Sequence, residues 1–151
     1  MTKVFAGVDA LAAAEGESFG PTDWVEIDQR QVDLFAEATG DHQWIHTDPE
    51  RAASGPFGRT IAHGFLTLSL LPRLLNELYR VDDVRMGINY GLNKVRFPSP
   101  VPVGSKVRLA AEIASVRRGD GFVEVTTRST IEVEGSPKPA CVIESVGRLY
   151  P

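Results

Sequence analysis

Cysteine is almost absent from this chain of 151 residues, which contains only Cys141. A single cysteine cannot form a disulfide within the chain, and a protein without disulfides suits a reducing compartment. The N-terminal residues also lack the apolar core of a secretion signal. We therefore expect a cytoplasmic protein in which Cys141 is a small, buried hydrophobic residue on the inner face of a strand.

Long apolar runs and clusters of basic residues are missing as well. No run approaches the roughly 20 apolar residues that a bilayer requires, so a membrane span is not expected. Acidic residues outnumber basic residues by 20 to 16 and the arginines are scattered, so no nucleic-acid partner is expected. The chain is 42% hydrophobic and has no repeat or linker, which predicts a single domain over residues 1–151.

Local signals define a short helix and the segment that follows it. Asp28, with a glutamine three residues later, is typical of a capping box and predicts a helix over residues 29–39. Gly40 suits the left-handed position that ends a helix. Asp48-Pro49 then has the pattern of an N-cap followed by a proline in the first turn. Residues 41–47 are therefore predicted to be a loop held at both ends by helices.

The segment of residues 60–80 is predicted to be one helix. Its first half is apolar almost all round, which indicates burial, and its second half has a polar stripe at helical spacing. Pro72 would leave the carbonyl of Leu68 without its helical partner, so a bend is expected there.

The C-terminal half has the alternation of β-strands. Residues 106–113, 122–133 and 140–146 are rich in β-branched residues, and glycine and proline occur between these segments. Successive strands without intervening helices predict an antiparallel meander and argue against a doubly wound sheet. The fold class is therefore α+β.

Candidate chemistry is concentrated in the segment after the first helix. Asp41 and His46 place a carboxylate and an imidazole five residues apart, and Gly64 follows close behind. Such a pair can carry out acid–base chemistry on a small ligand. His63 either lines a pocket or is a hydrogen-bonded structural imidazole. The histidines do not match a standard zinc spacing, so no metal is expected.

Three separated motifs carry a resemblance to a known family, and their residues are Phe35-Ala36, Thr39-Gly40-Asp41-His42, Ile45-His46, Asp48-Pro49, Ile61-Ala62-His63-Gly64 and Tyr90 to Pro98. Together they resemble the MaoC-like dehydratases, the (R)-specific enoyl-CoA hydratases. The resemblance implies a hot-dog fold, in which an antiparallel sheet wraps around one long central helix. It also implies a homodimer and the reversible hydration of trans-2-enoyl-CoA to (R)-3-hydroxyacyl-CoA.

The resemblance assigns roles position by position. The family's catalytic aspartate and histidine match Asp41 and His46, and its oxyanion glycine matches Gly64. Gln43 and His63 are then expected to contact substrate. No cofactor is expected, because coenzyme A is part of the acyl-CoA substrate. The sequence does not distinguish which of the pair is acid and which is base.

One departure and two alternative functions remain open. Gln43-Trp44 stands where the family usually has Asn-Pro, and Trp44 could be a pocket wall, a dimer contact or simply half-buried. Lys94 and Arg96 could contact coenzyme A phosphates or lie on a solvated strand face. The alternative functions are an acyl-CoA thioesterase on the same fold and a non-catalytic subunit that binds acyl-CoA.

Overall fold

The computed structural model describes residues 1–151. Its helices and strands follow in this chain order: β1 (Lys3–Phe5), α1 (Val8–Ala13), β2 (Ser18–Phe19), β3 (Val25–Glu26), α2 (Gln29–Thr39), α3 (Trp44–Thr47), α4 (Pro49–Ala53), α5 (Gly64–Ser69), α6 (Leu71–Leu78), β4 (Tyr79–Val81), β5 (Met86–Arg96), β6 (Lys106–Arg118), β7 (Val123–Val133) and β8 (Cys141–Tyr150).

A six-stranded sheet forms the body of the molecule, in the order β2-β6-β7-β8-β5, with β3 also paired to β6. The neighbouring strands are antiparallel, as the alternating sequence predicts. Along β7, buried residues alternate with more exposed ones, because successive side chains point to opposite faces of the sheet. Strand β5 lies at the edge, with β8 as its only neighbour within the sheet.

Helices α5 and α6 supply the apolar layer that covers the inner face of the sheet. Leu66 and Leu74 belong to one buried cluster that also contains Leu109, Ile131 and Ile143 from the strands. The α+β class is confirmed, and the arrangement is the hot-dog fold implied by the resemblance. Within that fold, the helical layer differs in detail from the sequence prediction.

The single helix predicted over residues 60–80 is two helices in the structure. The break falls at Leu70, whose N–H donates to the carbonyl of Thr67 at 3.2 Å, as in a tighter helical turn. Pro72 has no N–H and therefore occupies the first turn of α6 rather than the middle of a longer helix. The prediction is also wrong at the C-terminal end, because Tyr79–Val81 pairs with β1 in a small parallel sheet.

Cys141 is fully buried at the start of β8. Burial raises the pKa of its thiol to about 11, because the charged thiolate is poorly solvated there. This agrees with the prediction of a small hydrophobic residue rather than a reactive thiol. None of the helices has both the length and the apolar composition that would let it cross a membrane.

Candidate active site

Helix α2 leads directly into the site, and its two ends are set by the local signals found in the sequence. Asp28 accepts a hydrogen bond from the N–H of Gln31 at 2.9 Å and so caps the helix at its start. Gly40 ends the helix with φ at 83°, a left-handed conformation that favours glycine. Asp41 therefore lies outside the helix, as predicted, and it is exposed.

The loop predicted over residues 41–47 contains the short helix α3, so that part of the prediction is wrong. The carbonyl of Gln43 accepts hydrogen bonds from the N–H of His46 at 3.0 Å and from Oγ1 of Thr47 at 3.2 Å, which closes one helical turn. Asp48 then caps α4 by accepting from the N–H of Arg51 at 3.1 Å, as the sequence predicts. The turn directs the ring of His46 inward.

His46 is buried, with 6% of its surface exposed. Its Nδ1 lies 2.7 Å from the carbonyl oxygen of Ile61. A carbonyl can only accept, so Nδ1 carries the hydrogen and Nε2 of the neutral ring is a free base. The N–H of Ile61 also donates to the carbonyl of Ile45 at 3.0 Å. The chain thus returns to the same place after residues 47–60.

Asp41, His46 and His63 come together in space. A carboxylate oxygen of Asp41 and one ring nitrogen of each histidine all lie within 4.8 Å of one another. A water molecule that makes two hydrogen bonds of about 2.8 Å spans about 4.6 Å between its partners. The cluster is therefore of the right size to hold one water between the carboxylate and an imidazole.

His63 is more deeply buried than His46, with 2% of its surface exposed. Its Nε2 lies 3.0 Å from the backbone oxygen of Asp41. Its ring stacks on that of His46 at a centroid distance of 3.9 Å and an angle of 24°. It also packs against Phe35, at a centroid distance of 4.8 Å. His63 therefore contacts both of the residues proposed from the sequence for acid–base chemistry.

Gly64 is the first residue of α5 and directly follows His63. Its N–H is not hydrogen-bonded within the chain, as is usual for the first residues of a helix. A Cβ at this position would lie 3.3 Å from the ring of Phe97, so the residue is also in close contact with its neighbour. Gly64 thus offers an unpaired backbone donor beside the cluster.

The two residues that replace Asn-Pro take different places. Gln43 is exposed, and its backbone N–H lies 3.4 Å from a carboxylate oxygen of Asp41, a long contact. Trp44 is half-buried and packs on α4, with the guanidinium of Arg51 4.3 Å from the centre of its ring. A Cβ at Gly55 would lie 3.0 Å from the indole of Trp44, so Gly55 also packs closely against this ring. Trp44 therefore packs on α4 and on the turn that follows it.

Sequence reasoning missed the residues that hold His46 in place. The side-chain amide of Gln29 donates to the backbone oxygen of His46 at 2.8 Å. The amide oxygen of Gln29 accepts from the hydroxyl of Thr60 at 2.6 Å, and Thr60 is buried. One side chain thus connects α2, α3 and the strand-like segment before α5. No local pattern marks this bridge, because its partners are far apart in the chain.

The environment of His46 lowers its pKa below 6.5. Burial is the largest cause, and the charge of His63 acts in the same direction, whereas the carbonyl of Ile61 and the charge of Asp41 oppose it. His46 therefore remains an uncharged base at neutral pH.

The titration of His46 gives a direct check of this environment. We expect an NMR titration to place its midpoint below pH 6.5, with the resonance assigned by its loss in His46→Gln. Between the lowered pKa of His46 in the folded protein and its ordinary value of 6.5 in the unfolded chain, the unfolded chain binds more protons. The free energy of unfolding should therefore rise with pH across that window. A midpoint above 6.5 would contradict the burial described here.

Asp41, His46 and His63 are also of the types that bind transition metals, two histidines and a carboxylate. The lone pairs of an imidazole lie in the plane of its ring, and these two rings are stacked 3.9 Å apart. Stacked rings direct their lone pairs side by side, whereas a tetrahedral ion needs them to converge. The geometry does not favour a metal, and the expected absence of one stays a prediction.

A cavity of about 850 Å³ lies between α6 and the edge of the sheet. Most of its lining is apolar and includes Leu68, Leu75, Leu92 and Val146. The cavity begins at Leu68, one helical turn beyond Gly64, which corresponds to about 6 Å along a helix. Asp41, His46 and His63 are not among its lining residues. Of α5, the cavity thus touches only the C-terminal end, at Leu68 and Ser69.

Residues 10–134 match the family model of the MaoC like domain. The chain belongs to the MaoC-like family. The 3-hydroxyacyl-thioester dehydratase Z of Mycobacterium tuberculosis is 62% identical over 147 residues, which cover 97% of both chains. This MaoC-like protein is therefore an enzyme of the dehydratase type, a hydro-lyase, as the sequence motifs predict.

Solved structures support the fold of the MaoC-like chain. The (R)-hydratase of A. caviae is 28% identical and has a TM-score of 0.69, covering 88% of this chain and 94% of that one. A monoamine oxidase regulatory protein of Archaeoglobus fulgius has a TM-score of 0.79 at 22% identity, covering 99% and 97% of the two chains. The second likeness concerns the fold alone.

Proposed function

We propose that this MaoC-like dehydratase is an (R)-specific enoyl-CoA hydratase, which hydrates trans-2-enoyl-CoA reversibly to (R)-3-hydroxyacyl-CoA. The observation that carries the proposal is the cluster of a carboxylate and two buried imidazoles within 4.8 Å, next to the unpaired N–H of Gly64. The mycobacterial relative is named for a 3-hydroxyacyl-thioester, and the A. caviae structure for an (R)-hydratase. Both names fit the same reaction in its two directions.

His46 and Asp41 would share one water over the double bond. Nε2 of His46 is the free base, since Nδ1 is committed to the carbonyl of Ile61. It accepts a proton as the water oxygen bonds to C3 of the enoyl thioester, while Asp41 accepts the other hydrogen bond of the water. The pair then returns a proton to C2. Each of these contributions is typically worth about 10²–10⁴ in rate.

Gly64 would stabilise the charge that develops on the thioester oxygen. Adding hydroxide at C3 makes the thioester enolate-like, so its oxygen becomes an anion before C2 is protonated. A fixed backbone N–H aimed at such an oxygen is worth about 3–4 kcal/mol in the transition state. The N–H of Gly64 has no partner within the chain. Gln43, exposed beside Asp41, would contact substrate at the rim.

The apolar cavity would hold the acyl chain. Its volume of about 850 Å³ is within the range that small-molecule sites occupy. An acyl group whose thioester lies at Gly64 would extend along α5 and reach the cavity at Leu68. Lys94 lies opposite Glu144 in the sheet, and Arg96 donates to the carbonyl of Val95 at 2.8 Å. Contacts of these two residues with coenzyme A phosphates remain a prediction.

The proposal is tested with crotonyl-CoA and with butyryl-CoA. We expect loss of the enoyl absorbance of crotonyl-CoA, with formation of the (R) product identified by chiral chromatography, and no free thiol from either compound. Release of thiol from butyryl-CoA would instead support a thioesterase. Thermal stabilisation by both compounds without turnover would support a binding subunit. Formation of the (S) product would overturn the stereochemical assignment.

We also propose that the enzyme is a homodimer paired through β5. This strand is eleven residues long, lies at the edge of the sheet and has an exposed surface. It carries exposed apolar side chains, including Ile88, Tyr90 and Leu92. Long exposed apolar edge strands are otherwise avoided, because they pair with other chains. Phe97, just after β5, contacts Gly64, so a second copy on this edge would lie next to the site.

Light scattering checks the dimer. We expect a mass of about 33 kDa, twice the 16.5 kDa of one chain. Leu92→Lys places a charge on the proposed interface and should shift the mass towards that of one chain. Val4→Lys, an exposed apolar residue on β1, is the matched control and should leave the dimer intact. A monomeric wild-type protein would contradict the proposal.

A further inference from the structure

We propose that His63 is a positioning residue that holds Asp41 and His46 in their working geometry, and that it does not bind substrate. This inference rests on the proposed function for the identity of the pair. It differs from the sequence-based expectation, in which His63 contacts the substrate. Three features of the structure carry it: its contact with the backbone of Asp41, its contact with the ring of His46, and the way its own ring is held.

The first feature is the hydrogen bond to Asp41. Nε2 of His63 donates to the backbone oxygen of Asp41 at 3.0 Å. The other two hydrogen bonds on Asp41 are longer, at 3.4 Å each: its N–H to Oγ1 of Thr39, and its carboxylate from the N–H of Gln43. Asp41 also directly follows the left-handed Gly40, where helical backbone bonds have ended. His63 is therefore the closest hydrogen-bonding anchor of this exposed residue.

The second feature is the stack with His46. The two rings are 3.9 Å apart and 24° from parallel, so His63 covers one face of the His46 ring. The hydrogen bond from Nδ1 of His46 to Ile61 fixes the ring at one point only. A second surface against its face restricts rotation of the ring about its bond to Cβ. Together these two contacts fix the orientation of the His46 ring and so the direction in which its Nε2 points.

The third feature is that His63 itself has little freedom. It is 2% exposed, packs against Phe35 of α2, and accepts at its backbone oxygen from the N–H of Thr67 in α5 at 3.1 Å. Its Nδ1 is buried and has no partner within the chain. Leaving a buried polar atom unpaired is unfavourable, and an apolar ring would avoid it. A residue that only filled space would not need a nitrogen, so the Nε2 contact with Asp41 accounts for the histidine.

Two substitutions separate the contacts of His63. His63→Phe keeps a ring that can contact Phe35 and His46 but removes the donor to Asp41, whereas His63→Gln keeps a donor and removes the ring. We expect His63→Phe to lower kcat for crotonyl-CoA hydration by about 10–100-fold, because displacement of reacting groups by about 1 Å is costly. KM should stay within about threefold. The kcat of His63→Gln should lie between that of His63→Phe and that of the wild type. A wild-type kcat in His63→Phe, or a loss confined to KM, would overturn the proposal.

A measurement without substrate keeps this inference separate from the proposed function. Long-range ¹H–¹⁵N spectra of the wild-type protein should show His63 with its hydrogen on Nε2 and His46 with its hydrogen on Nδ1. The Nδ1–H tautomer of His63 would overturn the positioning role even if the enzyme is active. Absence of hydratase activity with the expected tautomers would instead refute the proposed function.

Discussion

Replacing Asp41 with asparagine, or His46 with glutamine, is expected to lower kcat for enoyl-thioester hydration by about 10²–10⁴-fold. Asparagine keeps the shape of the exposed Asp41 side chain but removes the charge that accepts a hydrogen bond from water. Glutamine at position 46 retains a polar side chain and has no basic nitrogen. Because the two residues act on one water, the double substitution should cost much less than the product of the single losses.

Steady-state hydration of crotonyl-CoA measures these effects, and thermal unfolding shows whether each variant is folded. His42→Gln is the matched control, because His42 lies between the two residues, is exposed, and is outside the cluster of Asp41, His46 and His63. Its kcat should stay within about twofold, since surface substitutions away from special contacts have small effects. Near wild-type turnover in either Asp41→Asn or His46→Gln would rule out the proposed pair.

Substituting Gly64 with proline is the second large expected effect. Proline removes the N–H that would bind the thioester oxygen, and loss of one such donor costs about 10²–10³-fold in kcat. The backbone accepts proline here, because Gly64 is the first residue of α5 and proline is favoured in that position. The preceding His63 has φ at −58° and ψ at 138°, the extended conformation that a residue before proline adopts.

Gly64→Ala is the control for the proline variant. A Cβ in either variant meets the ring of Phe97 at 3.3 Å, so both impose that steric change. Only proline also removes the donor. We therefore expect a clear gap in kcat between alanine and proline in the same hydration assay, with both proteins folded by circular dichroism. Equal activity of the two variants would show that the N–H of Gly64 has no part in the reaction.

The local parts of the fold were accessible from the sequence. The capping box at Asp28 and the left-handed Gly40 predict the bounds of α2 correctly, because both signals act within one or two turns of the chain. Asp48 and Pro49 do the same for the start of α4. The long strands were equally clear, since their side chains alternate between a buried and a solvated face.

The remaining features depend on contacts between distant parts of the chain. The predicted helix fails at Tyr79 because that residue pairs with Lys3, far away in sequence. Pro72 indicated a bend, but its position in the first turn of a new helix depends on how Leu70 packs in the core. The bridge from Gln29 to Thr60 and the stack of His63 on His46 are likewise long-range. Neither leaves a periodic or capping signal.

The return of the chain to His46 has a consequence for how this region tolerates change. Ile45 and Ile61 are joined by a backbone hydrogen bond, and the ring of His46 bonds to the same Ile61. The segment from Thr47 to Thr60 is thus a closed loop, whose two ends are joined by the hydrogen bonds between Ile45, His46 and Ile61. We expect the exposed tip of this loop, around Pro56 and Gly58, to accept inserted residues with little loss of stability. The free energy needed to close a loop grows only with the logarithm of its length.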